Sequence, residues 1–144
     1  TSLTVSLTVT NDCQITTPAI SFGSAPVISG FSPVNQSLNV SCTKGSNYTV
    51  GLDDGQSPVS VGGRRRMKSA AGNFLAYDIF KSAGTVRWGA LSSARRASSD
   101  ADINPGAGTG TGSQVFNYNA KVYPDQTTPP AGAYLDSVIL DVQF

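Results

Sequence analysis

Few side chains in this 144-residue chain could perform catalysis. The chain contains no histidine, so the usual triads of acyl transfer are excluded. Asp53 and Asp54 are adjacent, which makes them a turn signal rather than an acid–base pair of carboxylates. The glycine-rich stretch GAGTGTG at 106–112 lacks the Lys-Ser/Thr ending of a phosphate loop and predicts an ordinary loop. We therefore expect no enzyme activity and no cofactor.

The two cysteines, Cys13 and Cys42, are the remaining reactive groups. Two cysteines without histidine cannot supply a four-ligand zinc site. A disulfide between them would close a loop of about 30 residues and indicate an oxidising compartment. Two buried free thiols are the alternative. The chain begins with Thr rather than Met, which fits a mature secreted form, although a sequence cut at a chosen boundary would look the same. No stretch has transmembrane length, so we expect no membrane insertion.

Basic residues cluster in GGRRRMK at 62–68. An acidic or nucleic-acid partner and packing against a neighbouring copy are two interpretations. No aromatic residue interrupts the arginine run, so a solvated surface strand is favoured and no nucleic acid is expected. Trp88 and Tyr77 could stack on a sugar, but core packing is the favoured role of both.

Composition and periodicity predict an all-β fold. The nine acidic residues are all Asp, and Gly, Ser, Thr and Val abound, which favours strands and turns over helices. Alternating apolar residues predict strands at 38–42, 48–52, 74–81, 114–123 and 133–144. Short strands separated by turn signals predict an antiparallel β-sandwich.

The opening TSLTVSLTVT also alternates. Its apolar face consists of Leu3, Val5, Leu7 and Val9, opposite a face of hydroxyl residues. No hairpin turn follows it. From the pattern alone, this segment either folds onto its own domain as a first strand or pairs with a sheet of another chain.

The order of the motifs resembles a known family. The motifs are SFG (21–23), LNVSC (38–42), YTVGLDDG (48–55), RRM (65–67), LAYDIF (75–80), WG (88–89), FNYNAKV (116–122) and PAGAYLDSVILDVQF (130–144). Together they are similar to the spore coat protein U domain found in pilins of the archaic, or Csu-type, chaperone–usher pathway. Cys13 and Cys42 stand where that family has its disulfide.

The resemblance implies an incomplete immunoglobulin-like β-sandwich that lacks its last strand. Residues 1–10 would be a donor strand and residues 11–144 a single pilin domain. The donor strand would complete the sandwich of a neighbouring subunit, in a groove lined by Phe22, Val138, Leu140, Val142 and Phe144. The implied partners are identical subunits in a head-to-tail filament, with a periplasmic chaperone and an outer-membrane usher during assembly.

The function so implied is a shaft subunit of a cell-surface pilus, exported through the periplasm and serving adhesion and biofilm formation. A minor or tip subunit of the same pilus is one alternative. A self-contained secreted sandwich that binds carbohydrate is another, and it would hold residues 1–10 in its own sheet.

Overall fold

The computed structural model describes residues 2–8, 12–43, 48–81, 84–90, 106–108 and 112–143. These residues form nine β-strands and one short 3-10 helix, Ile28–Gly30. The strands are β1 Cys13–Thr16, β2 Val34–Cys42, β3 Tyr48–Leu52, β4 Arg65–Ser69, β5 Phe74–Lys81, β6 Gly106–Gly108, β7 Gly112–Val122, β8 Tyr134–Leu135 and β9 Leu140–Gln143. Across these ranges, no helix is long and apolar enough to cross a membrane.

The strands pair into two antiparallel sheets. One sheet has six strands in the order β1-β2-β7-β5-β4-β8, and the other has three in the order β6-β3-β9. The longest pairing joins β2 to β7, from Val34 opposite Ala120 to Cys42 opposite Gly112. The all-β prediction is confirmed, and β2, β3, β5 and β7 cover the stretches in which apolar residues alternate.

The hydrophobic core lies between the two sheets. Its buried members from β2, β3, β5 and β7 include Leu38, Val40, Tyr48, Val50, Leu52, Tyr77, Ile79, Tyr118 and Ala120. Trp88 is buried among them and donates its indole N–H to the Val50 carbonyl at 2.9 Å. The core-packing role predicted for Trp88 and Tyr77 is confirmed.

A disulfide joins Cys13 to Cys42, and the alternative of two free thiols is wrong. The two residues are direct neighbours in the pairing of β1 with β2. The bond therefore fastens an edge strand to the sheet at the point where residues 2–8 lead into the domain.

Two local predictions are wrong. Gly106–Gly108, expected in a loop, form β6 and pair with β3. Residues 133–144, expected as one strand, divide instead: β8 pairs with β4 in the six-stranded sheet and β9 pairs with β3 in the other. The chain crosses from one sheet to the other between these strands, at residues 136–139, which we call the crossing segment.

The interpretation of the arginine run as a solvated surface is wrong for Arg65, which is fully buried. Its guanidinium donates to the Asp78 carboxylate at 2.8 Å. It also donates to three main-chain carbonyls, those of Leu52, Asp53 and Trp88, at 2.7–3.0 Å. Burial lowers the pKa of Arg65 and nearby Arg87 lowers it further, whereas Asp78 acts in the opposite direction. Arg65 thus ties the end of β3 to β5 across the core.

Arg87 extends this buried network. It donates from Nε to Asp78 and from Nη2 to Asp54, both at 3.0 Å. Asp54 is buried as well, and its second oxygen accepts the Gly62 N–H at 3.0 Å. The two arginines therefore pair with the buried carboxylates of Asp54 and Asp78, as buried ions require.

Replacing Arg65 by Ala should lower the free energy of unfolding by about 3–5 kcal/mol, because Asp78 would keep a buried charge with one partner fewer. Arg64→Ala is the matched control, since Arg64 pairs with Asp125 at the surface and should cost about 1 kcal/mol or less. Urea unfolding of both variants measures the difference. Equal stability of the two variants would show that the buried network does not hold the sheets together.

Candidate functional site

An open groove of about 420 Å³ runs along one edge of the sandwich. One wall consists of residues 17–20 and Phe22, which follow β1, and the other consists of residues 134–138 and Leu140. The floor is the core itself: Leu38, Leu52, Met67, Tyr77, Ile79 and Tyr118. A cavity that reaches so many core side chains marks a place where the sandwich is not closed.

The groove is open because a sheet of three strands packs on a sheet of six. β9 is the last strand of the smaller sheet, and no strand in the described ranges lies beyond it. An edge of this kind offers unpaired main-chain groups beside an apolar floor. Such edges receive an added strand from another chain or cause aggregation.

The predicted groove residues fall in two places. Phe22, Val138 and Leu140 line the groove. Val142 packs against the core from β9, and Phe144 lies outside the described residues. The sequence analysis did not predict the floor residues. Alternation in their strands indicates that side chains are buried, but it does not indicate which of them line a groove.

Two aspartates hold the crossing segment in place: Asp136, which belongs to the segment, and Asp53, which lies outside it. Asp136 accepts the Tyr77 hydroxyl at 2.6 Å, the Gln56 N–H at 2.7 Å and the Ser137 N–H at 2.9 Å. Burial raises the pKa of Tyr77, and the hydrogen bond to Asp136 raises it further. A hydrogen bond therefore connects Tyr77 in the floor of the groove to Asp136 in its wall.

Asp53 holds the other end of the crossing segment. Its main-chain N–H donates to the Ile139 carbonyl at 2.9 Å, and its carboxylate accepts the Ile139 N–H at 3.0 Å. The main-chain carbonyl of the same residue accepts from buried Arg65. The wall is thus connected to the ion network in the core.

Gly55 is required next to this wall for two reasons. Its φ of +77° is rarely adopted by residues with side chains. A Cβ at this position would also lie 2.1 Å from a carboxylate oxygen of Asp136. The DDG sequence that reads as a turn signal therefore also makes room for the wall of the groove.

The N-terminal segment, residues 2–8, lies apart from the domain. It forms no strand, and Leu3, Val5 and Leu7 are 90%, 86% and 90% exposed. Val9 lies outside the described residues. Three large apolar side chains exposed in alternation are unusual for a segment that has no binding partner.

The described residues offer no site for metal chemistry. Within them, no group of three or more Cys, Asp or Glu side chains could hold a metal ion. The ion pairs that Arg65 and Arg87 form are buried in the fold, and the floor of the groove is mostly apolar. This arrangement is suited to binding an apolar segment.

A comparison with protein families matches residues 1–141 to a family described as the Spore Coat Protein U domain. The chain belongs to this family. The resemblance noted in the sequence motifs is thereby confirmed. Curated proteins give no match.

Solved structures of pilus subunits share the fold of this spore coat protein U domain. One is a chain of the CsuC–CsuE chaperone–tip adhesion subunit pre-assembly complex from archaic chaperone–usher Csu pili of Acinetobacter baumannii. It is 35% identical, with a TM-score of 0.68, and the match covers 95% of the present chain but 40% of that chain. Another is the P pilus rod subunit PapA, which is 16% identical, with a TM-score of 0.56; the match covers 91% of the present chain and 97% of that chain. The fold is an immunoglobulin-like pilin fold.

Asp136→Ala should lower the free energy of unfolding by roughly 2 kcal/mol, because it removes a charged acceptor and leaves the Tyr77 hydroxyl without its partner. The amides of Gln56 and Ser137 should exchange hydrogen faster. The control is Asp125→Ala, which removes a carboxylate that pairs only at the surface. Unchanged stability and unchanged amide protection in Asp136→Ala would contradict the role of Asp136 in holding the wall.

Proposed function

We propose that this chain is a subunit of a chaperone–usher pilus and polymerises by donor-strand exchange. Residues 1–10 are the donor strand, and residues 11–144 are the domain that accepts the donor strand of another copy. The observation that carries the proposal is the coexistence of an open apolar groove and an exposed alternating apolar segment in the same chain.

The spacing of the two parts supports the proposal. Side chains two residues apart on a strand are about 6.8 Å apart on one face. Leu3, Val5 and Leu7 can therefore enter successive positions along a groove beside β9. Each such side chain contributes about 1.5–3 kcal/mol when buried, and strand pairing adds roughly 0.5–1.5 kcal/mol per hydrogen bond.

An open groove also explains why assembly needs helpers. The groove and the free edge of β9 would stay uncovered between synthesis and polymerisation, which favours aggregation. One solved relative was crystallised as a pre-assembly complex of a chaperone and a pilus subunit. We infer that a periplasmic chaperone covers the groove of this chain, and that an outer-membrane usher replaces the chaperone by the next subunit. The product is a head-to-tail filament on the cell surface that serves adhesion and biofilm formation.

We assign the chain to the shaft of the pilus. A shaft subunit needs both a donor strand and a groove, and the features of both are present here. The second candidate is a minor or tip subunit, which is favoured by the likeness to a complex that contains a tip adhesion subunit. Antibody labelling distinguishes them: a shaft subunit is labelled along the whole filament, and a tip subunit at one end.

Val5→Arg should abolish filament formation in cells that produce the chain with its chaperone and usher, because a charged side chain cannot enter an apolar groove. Ser2→Arg is the matched control, because it adds the same charge on the hydroxyl face of the segment. Electron microscopy of the cell surface measures filaments. Copurification with the chaperone measures whether each variant folds.

We expect the Val5→Arg chain to remain bound to its chaperone without forming filaments, and the Ser2→Arg chain to form filaments of normal length. Normal filaments from Val5→Arg would contradict the donor assignment. A self-contained carbohydrate-binding sandwich would form no filaments even without these substitutions and would bind sugar as a monomer.

A further inference from the structure

Asp141 occupies an unusual position in β9. It stands between Leu140 and Val142, which both pack against the core, so its side chain projects from the opposite face of the strand. Its Oδ2 atom is buried and has no hydrogen-bond partner among the described residues. A buried carboxylate oxygen without a donor is costly, and it calls for a partner that the isolated chain does not supply.

The partner cannot come from the side chain opposite Asp141 within the sheet. On β3 the residue paired with Asp141 is Gly51, which has no side chain. On the other side β9 is the edge of its sheet, and no described strand follows. Among the strands that the structure describes, none supplies a donor directly beside Asp141, so a strand added at this edge could bring one.

The surroundings of Asp141 disfavour its charged form. Burial raises the pKa of Asp141, and the nearby carboxylate of Asp53 raises it further. A hydroxyl that donates to the carboxylate stabilises its charged form without bringing a counter-ion into the sheet.

The alternation of the N-terminal segment then fixes the kind of residue that meets Asp141. Directly paired residues on neighbouring strands project from the same face of the sheet. With Leu3, Val5 and Leu7 in the groove, the residue opposite Asp141 is drawn from the other set: Thr4, Ser6 and Thr8. All three carry a hydroxyl. This conclusion holds whether the added strand runs parallel or antiparallel to β9.

We infer that Asp141 accepts a hydrogen bond from the hydroxyl of Thr4, Ser6 or Thr8 of the neighbouring copy, and thereby sets the pairing of the donor strand. A slip of one residue would bring an apolar side chain against Asp141 and lose the bond. The inference rests on the proposed function, and it adds a residue on the rim of the groove that excludes a slip of one residue.

A set of filament variants tests it. Purified filaments of the full chain are made with Asp141→Ala, with Thr4→Val, Ser6→Ala or Thr8→Val, and with each pair of changes. The measurement is the rate at which subunits dissociate in denaturant at fixed temperature. Asp141→Ala should raise this rate about tenfold, or about 1.4 kcal/mol. One hydroxyl variant should raise it equally, with no further increase when the two are combined.

The other two hydroxyl variants serve as controls, since their effects should be small and additive with Asp141→Ala. Asp141→Asn keeps an acceptor oxygen and should dissociate within about threefold of the wild-type rate. The three hydroxyl variants lie in the exposed segment, so they remain informative if a change at Asp141 impairs folding. The role of Asp141 would be overturned if all three hydroxyl variants had effects additive with Asp141→Ala, or if all three dissociated at the wild-type rate.

That failure is distinguishable from failure of the proposed function. If Val5→Arg prevents filaments while every hydroxyl variant is additive with Asp141→Ala, the donor strand stands and the Asp141 contact is wrong. If Val5→Arg forms normal filaments, the donor assignment itself is wrong and the Asp141 contact falls with it.

Discussion

The mismatch between a sheet of three strands and a sheet of six is the constraint on which the rest of the structure depends. The smaller sheet cannot cover the larger one, so Leu38, Tyr77 and Tyr118 remain reachable from outside although they belong to the core. A strand placed in this opening would cover the groove and bury its own apolar face at the same time. The exposed Leu3, Val5 and Leu7 of another copy offer the apolar surface that would achieve it.

An open groove must be kept from collapsing, and polar contacts contribute to this where apolar packing is incomplete. Arg65 ties the end of β3 to Asp78 of β5, and Asp53 continues the connection to Ile139 in the groove wall. Burying these charges costs free energy, which the many hydrogen bonds offset. Hydrogen bonds also fix direction in a way that apolar contacts do not, so the wall keeps its place while the site is empty.

Elements whose conformation follows from the local pattern of apolar and polar residues could be predicted from the sequence. Alternation located β2, β3, β5 and β7, and the motif order identified the family. Arg65 was misjudged because three consecutive arginines resemble a solvated surface, and its burial depends on carbonyls from residues 52, 53 and 88. The break between β8 and β9 was missed because the apolar alternation resumes at Val138 directly after Asp136. What interrupts the strand is Asp136, whose hydrogen bonds reach Tyr77 and Gln56 from distant parts of the chain.

The most direct test of the central claim is to delete residues 1–10 from the chain and to produce the shortened chain alone or together with the intact chain. The shortened chain is produced with its chaperone and usher and observed by size-exclusion chromatography and negative-stain microscopy, with and without the intact chain. The account predicts a folded one-to-one chaperone complex that never forms filaments alone but is incorporated at filament ends beside the intact chain. A shortened chain that forms filaments by itself, or that is a stable monomer without a chaperone, would contradict it.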